Sequence, residues 1–376
     1  MLMECPVYVV QPVGHPVHRR RRCFLYLFAT CRVKIYHVAM SISAQINPTP
    51  AVSGSSKLHE RNVSLDFLKL ALACMVVSLH VGIFYDVSPV LGFLTGEGIF
   101  RIAVPIFLII NGYYFFPVLQ RNGARGWFSR IGGLYLFWSA VYLFFWVPEI
   151  DPTVSGLIKA VRILAVGYYH LWYVAGMIGA GLLVLAFRRL PGYLVLAAAL
   201  LLYVAGVGIQ YAGNYHVFTN TQLDRFANIT WIHRNFLFLS FPFFYIGYFI
   251  SETQLHRKFT VLQMMCVSAA GLGLLVLEAY FNFGNYRNDG SVDNYMALLL
   301  VCPAIFIGIF NMKIHGSGGH VALYSSAIYF VHILVLYALR PFLDIGSTLM
   351  AIVVLLVSII VASALVRLSR KFRFIL

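Results

Sequence analysis

The stretch Arg61–His80, RNVSLDFLKLALACMVVSLH, places Asp66, Lys69 and His80 in an otherwise apolar run. An ionisable side chain at mid-bilayer costs about 2.5 to 3.5 kcal/mol, so three on one helix point to use. At about 100° per residue, the step from Lys69 to His80 returns to within roughly 20° of the same face, and Asp66 lies about 40° to the other side. One polar stripe is therefore expected along this helix, turned toward protein or a wet cavity. His80 suits proton abstraction, because an unperturbed imidazole titrates at about pH 6.5. Arg101, at the head of the next apolar run, suits stabilisation of a developing oxyanion, and Lys69 suits an acidic group further down. A base and a cation shielded from water are the parts of general acid–base chemistry with electrostatic stabilisation. Packing alternatives stand beside these readings: Asp66 and Lys69 could simply pair at i,i+3, and Arg101 could snorkel to an interface.

The elements that must position these groups are membrane helices. Of 376 residues, 60% are hydrophobic and 11% charged, with a mean hydropathy of +0.81; a water-facing shell needs far more charge. Apolar runs near 20 residues without strict alternation indicate spanning helices and not barrel strands. The expected fold is an all-α integral membrane protein of about ten transmembrane helices. They fall at 66–85, 97–118, 131–148, 168–187, 192–209, 235–251, 260–281, 295–312, 321–339 and 347–366. Between them lie breakers such as Pro148 to Pro152, Pro191-Gly192 and Pro341. Alternate connectors hold twelve Lys and Arg against six, which puts both termini in the cytoplasm. The net charge of +15 therefore reports topology, and no nucleic-acid partner is expected. The six cysteines, Cys5, Cys23, Cys31, Cys74, Cys266 and Cys302, show no metal spacing; neither a metal nor a disulfide framework is expected.

Residues 1–60 read as an N-terminal cytoplasmic segment ahead of a membrane domain over 61–376. The basic run His18–Arg22 and apolar Cys23–Ala29 are too short for a signal peptide or a span. Translation is expected to begin at Met40, with Ser41–Ser56 a disordered polar lead-in.

Five segments in order resemble the membrane-bound acyltransferase-3 family. Asp66-x-x-Lys69 followed by His80 resembles its opening motif, in which most members have Arg where this chain has Lys69. Arg101–Phe116, RIAVPIFLIINGYYFF, is similar to its Arg-x-x-x-Pro-x-Phe-Phe-x-x-Ser-Gly-Phe segment, with Asn111 in place of Ser before Gly112. Arg125 and Arg130 stand where the family has basic residues before its third helix. Tyr169–Tyr173, YHLWY, resembles its His-Leu-Trp-Phe segment, and Ser325–Leu334, SSAIYFVHIL, its Ser-x-x-x-Tyr-x-x-His pattern. The resemblance covers about residue 61 to the C-terminus.

That resemblance implies His80, Arg101 and Lys69 as catalytic residues. It implies Asp66, His170, Trp172, His332 and Arg130 as substrate-binding residues. By depth, His80, Arg101 and His170 should converge in the outer half of the bilayer, with His332 near its middle. His170 and Trp172 could instead be an aromatic-belt pair, and His332 a hydrogen-bonded packing residue. The implied reaction moves a short acyl group from acyl-CoA, a co-substrate and not a permanently bound cofactor, to a sugar hydroxyl. Succinyl-CoA or acetyl-CoA is the donor, and a polysaccharide or lipid-linked oligosaccharide is the acceptor. The setting is a bacterial inner membrane, multi-pass and in contact with membrane lipids. The narrower expectation is a succinoglycan-type O-succinyltransferase. The competing reading is a transporter or flippase of a glycan intermediate, which should show inverted repeats and helices interrupted in paired positions; the sequence displays neither.

Overall fold

A computed structural model describes residues 61–285, 292–316, 319–372 and 374–376; the expectations for residues 1–60 lie outside the described residues. The fold is all-α. In chain order the helices are α1 (Ser64–Val81), α2 (Pro89–Gln120), α3 (Ala124–Val141), α4 (Val154–Val166), α5 (Tyr169–Phe187), α6 (Gly192–Asn214), α7 (Thr230–Thr253), α8 (Val261–Asn285), α9 (Leu298–Asn311), α10 (Gly319–Leu339) and α11 (Ser347–Ser369). Eight of these are long and apolar enough to cross a membrane. The remaining expected segments fall on α3, which carries Arg125 and Arg130 within its first two turns, and on the 14-residue α9. Each of the ten expected segments coincides with a helix; α4 lies in a stretch expected to be a connector.

Several boundaries differ for local reasons. α1 stops at Val81, four residues early, because Gly82 takes a left-handed conformation (φ 81°) and returns its N–H to Ser78 O at 3.1 Å. α3 begins at Ala124, so Arg125 and Arg130 lie on the helix and not before it. Two spans are interrupted at one end of the bundle, which hydropathy alone did not indicate. After a first regular turn (Pro89–Gly92), α2 passes through one wide turn (Phe93–Gly98) and one tight turn (Ile99–Ile102) before becoming regular again at Ala103. α7 breaks at Arg234 and Asn235, where the Asn235 side chain accepts from the N–H groups of Leu237 and Phe238 at 2.8 and 3.0 Å.

The main packing pairs are α2 with α7, α8 with α9, α10 with α11, and α1 with α10. Glycine permits the first. A Cβ on Gly112 would lie 1.8 Å from Phe244 O, and one on Gly247 would lie 2.0 Å from Ile109 O, so these backbones touch. Gly112 thus serves close packing. At the opposite end, a two-residue antiparallel bridge pairs Arg61 with Gly316 and Asn62 with His315, fixing the start of α1 against the connector before α10.

Candidate active site

The interruptions of α2 and α7 fall where a pocket opens, and its two guanidiniums come from those irregular turns. The tight turn at Ile99–Ile102 presents Arg101, and the break in α7 presents Arg234. The last turn of α1 presents His80. Gly167 at φ 99° and Tyr169 at φ 48° form the corner that delivers His170 and Trp172 at the head of α5. The chain just before α9 presents Asp293, and α10 presents Tyr329. The pocket encloses about 500 Å³, its open mouth included.

Three imidazoles converge here. The His80 and His332 ring centroids are 5.3 Å apart, and those of His170 and His332 are 5.1 Å apart. His332 is fully buried and its Nδ1 contacts the carbonyls of Tyr329 (2.7 Å) and Ile328 (3.2 Å). A carbonyl can only accept, so Nδ1 carries the proton and Nε2 keeps its lone pair. That Nε2 has no hydrogen-bond partner among the described residues. His170 is 2% exposed, and both its ring nitrogens are likewise unpartnered there. Its placement comes from its neighbours: Tyr329 donates its hydroxyl to the His170 carbonyl, and the Tyr142 ring meets the imidazole edge-on at 5.0 Å. His80 is partly accessible and leans on Tyr169 at 5.1 Å.

Beside the imidazoles lies a charge-balanced network. Arg101 pairs with Glu97 and Asp293, and Arg234 reaches both Asp293 oxygens at 3.1 and 3.2 Å while stacking over Trp172 at 5.1 Å. Two guanidiniums face two carboxylates, as burial of charge requires. Asp293 is held by its main chain: Gln210 Oε1 accepts from the N–H groups of Asp293 and Asn294, each at 2.9 Å, and Gln210 Nε2 donates to Asn294 O at 2.8 Å. Arg101 Nε is buried without a partner among the described residues. In the loop after α1, burial and secondarily Glu97 push the Tyr85 hydroxyl above the usual tyrosine range, so it stays protonated. Among the described residues no group of three His, Cys, Asp or Glu is arranged to hold a metal.

The structure therefore unites His80, Arg101, His170 and Trp172 at the pocket, with His332 directly behind. It does not bring Lys69, Asp66 or Arg130 there. Lys69 pairs with Asp66 at 3.8 Å and lies 5.8 Å from the Tyr114 ring centroid. Between Lys69 and His80, the same face of α1 is occupied by buried Ala73 and Val76, so the expected stripe is interrupted. Arg130 is exposed on α3. Site residues missed in the sequence are Glu97, Asp293 and Gln210. Glu97 was recoverable as the i−4 partner of Arg101; the other two carry no local signal.

A family model described as an acyltransferase domain matches residues 62–367. Among curated proteins, an "Amino-acid racemase" of Enterococcus faecalis is 24% identical over 84% of this chain and 47% of its own length. A "Serine/alanine racemase" of Enterococcus gallinarum is 24% identical over 72% of this chain and 40% of its own. The chain thus spans less than half the length of these relatives. No solved structure matches it.

Proposed function

Because the chain belongs to the acyltransferase-3 family, we propose that it is an integral-membrane O-acyltransferase that esterifies a sugar hydroxyl with a short acyl group from acyl-CoA. The carrying observation is His80 at a pocket wall, backed by His332 and beside Arg101. His80 takes the hydroxyl proton as the oxygen attacks the thioester carbonyl, the Arg101 Nε–H stabilises the oxyanion, and its collapse breaks the C–S bond and releases CoA, whose thiolate takes the proton from His80. The acceptor is a polysaccharide or its lipid-linked repeat unit in a bacterial inner membrane. With the ten spans and cytoplasmic termini expected from the sequence, the pocket would lie at the outer end and the Lys69–Asp66 pair near the inner end, where CoA arrives. Of the two donors, the balanced charges favour acetyl: Arg101 and Arg234 are already engaged by Asp293, so a second donor carboxylate would have to displace it. The racemase names describe relatives of which more than half lies outside the matched part.

The second reading, a glycan transporter, draws support from the interrupted α2 and α7. One experiment separates them. The full chain in nanodiscs receives acetyl-CoA or succinyl-CoA with a lipid-linked oligosaccharide, and ester formation is read by mass spectrometry. His80→Ala should lower transfer by about 10²–10⁴-fold, the usual worth of a positioned base, without affecting glycan export in cells. Ester formation at the parent rate, or lost export with esters intact, overturns the proposal.

A further inference from the structure

α4 is apolar on its exposed side yet too short to span a bilayer. Thirteen residues at 1.5 Å rise reach about 20 Å, short of the roughly 30 Å hydrocarbon core. Its outward side is apolar: Val154 is 77% exposed, Leu157 65%, Ile158 64%, Val161 59% and Leu164 45%. Their spacing sets them within a sector about 120° wide. Arg162 and Lys159 follow along one edge of that sector, and the remaining sector, with Gly156, Ala160 and Ile163, turns inward. A Cβ on Gly156 would lie 1.8 Å from Asp151 O, so this side is closed by the helix's own connector.

We infer that α4 lies flat in the bilayer boundary at the pocket end, its apolar sector in the acyl chains and Lys159 and Arg162 level with anionic headgroups. Two features name lipid as the occupant. The preceding segment, to which α4 is tied, also exposes large apolar side chains, Leu136 at 64% and Phe144 at 74%. The basic edge supplies the complement to headgroup phosphates expected of a surface helix.

The consequence for the site comes through a short tether. The Tyr135 hydroxyl donates to Leu164 O at 2.8 Å, fixing the end of α4. Gly167 then turns at φ 99°, where a Cβ would meet Trp172 N at 2.5 Å, and His170 follows three residues later. The depth of α4 in the membrane therefore sets the level of the pocket mouth, at the headgroups. An acceptor carried on a lipid reaches it without leaving the membrane plane; this last step rests on the acyltransferase reading.

The test uses the full chain in nanodiscs containing phosphatidylglycerol, with a benzophenone amino acid in place of Ile158 or Ile163. Irradiation should give lipid adducts from position 158 and none from 163. Absence of lipid adducts at 158, or equal adducts at both, overturns the placement whatever the chemistry of the pocket proves to be. In the same discs, Lys159→Glu with Arg162→Glu should raise the KM for a lipid-linked acceptor by about 30-fold, the equivalent of about 1 kcal/mol for each of two basic residues near an anionic surface. The KM for the detached, water-soluble oligosaccharide should not move. Equal effects on both acceptors overturn the lipid-plane route, whereas failure of the parent protein to transfer acyl groups overturns only the enzymatic reading.

Discussion

Replacing Asp293 by asparagine would remove one charge and almost no volume. The grip of Gln210 is on the N–H groups of residues 293 and 294 and on Asn294 O, so the main chain should stay in place. What changes is the balance: Arg101 and Arg234 would face Glu97 alone. Breaking a buried ion pair by removing one partner costs about 3 to 5 kcal/mol. Asp293 is 3% exposed, but Arg101 and Arg234 are 11% and 20% exposed. Water at the mouth therefore places the loss at the low end, about 3 kcal/mol, or roughly 100-fold when it falls on kcat/KM. The assays are thermal unfolding in nanodiscs and kcat/KM for acyl transfer. Adding Arg234→Gln to Asp293→Asn returns the pocket to one cation and one carboxylate. The double variant should regain at least half of the lost thermal stability without regaining activity. If Asp293→Asn unfolds with the parent, or if the double variant is less stable than either single variant, the network is not what holds Arg101 in place.

Two further outcomes follow from the geometry. His332→Phe keeps the ring volume but removes the lone pair behind His80; kcat should fall by about 10 to 100-fold with the KM for acyl-CoA unchanged, and His332→Gln, which restores an acceptor, should recover part of it. An unchanged kcat in His332→Phe would reduce His332 to packing. Asp86 caps α11, accepting from Thr348 N at 3.2 Å and from Ser347 Oγ at 3.0 Å, and these bonds, chiefly from the Thr348 hydroxyl, hold its carboxyl below the usual range. Asp86→Ala should cost about 1 kcal/mol of stability, as loss of a cap does. Because the folded carboxyl is the stronger acid, the contribution is complete above about pH 4 and disappears as pH falls through its folded value. Unfolding midpoints of parent and variant should therefore differ equally at about pH 6 and pH 8 and approach each other only in strong acid; a difference that grows between pH 6 and 8 would exclude this cap as the cause.

The spanning helices were legible because runs of apolar residues between breakers leave the backbone one solution in lipid. The meeting of His80, Arg101 and His170 was legible too, since each falls at the same end of its helix. Lys69 shows where this reasoning stops. Sharing a face with His80 fixes direction but not depth; eleven residues are roughly 16 Å along the axis, and Ala73 and Val76 fill the interval. α4 was written in Val154, Leu157, Ile158 and Val161, but its stretch was counted as a connector because only runs of spanning length mark a crossing, and a helix lying on the membrane needs no spanning length. Asp293 and Gln210 were beyond reach for a different reason. Neither sits at a recognisable spacing from the other, 83 residues apart, and a solitary aspartate in a connector is ordinary in sequence. Their role exists only because burial at the pocket makes an uncompensated guanidinium costly. A buried cation in a membrane sequence therefore announces that a partner must exist, and here the partner is supplied by the chain between α8 and α9, held by the Gln210 amide and the Tyr203 hydroxyl of α6 and by the Glu278 carboxylate of α8.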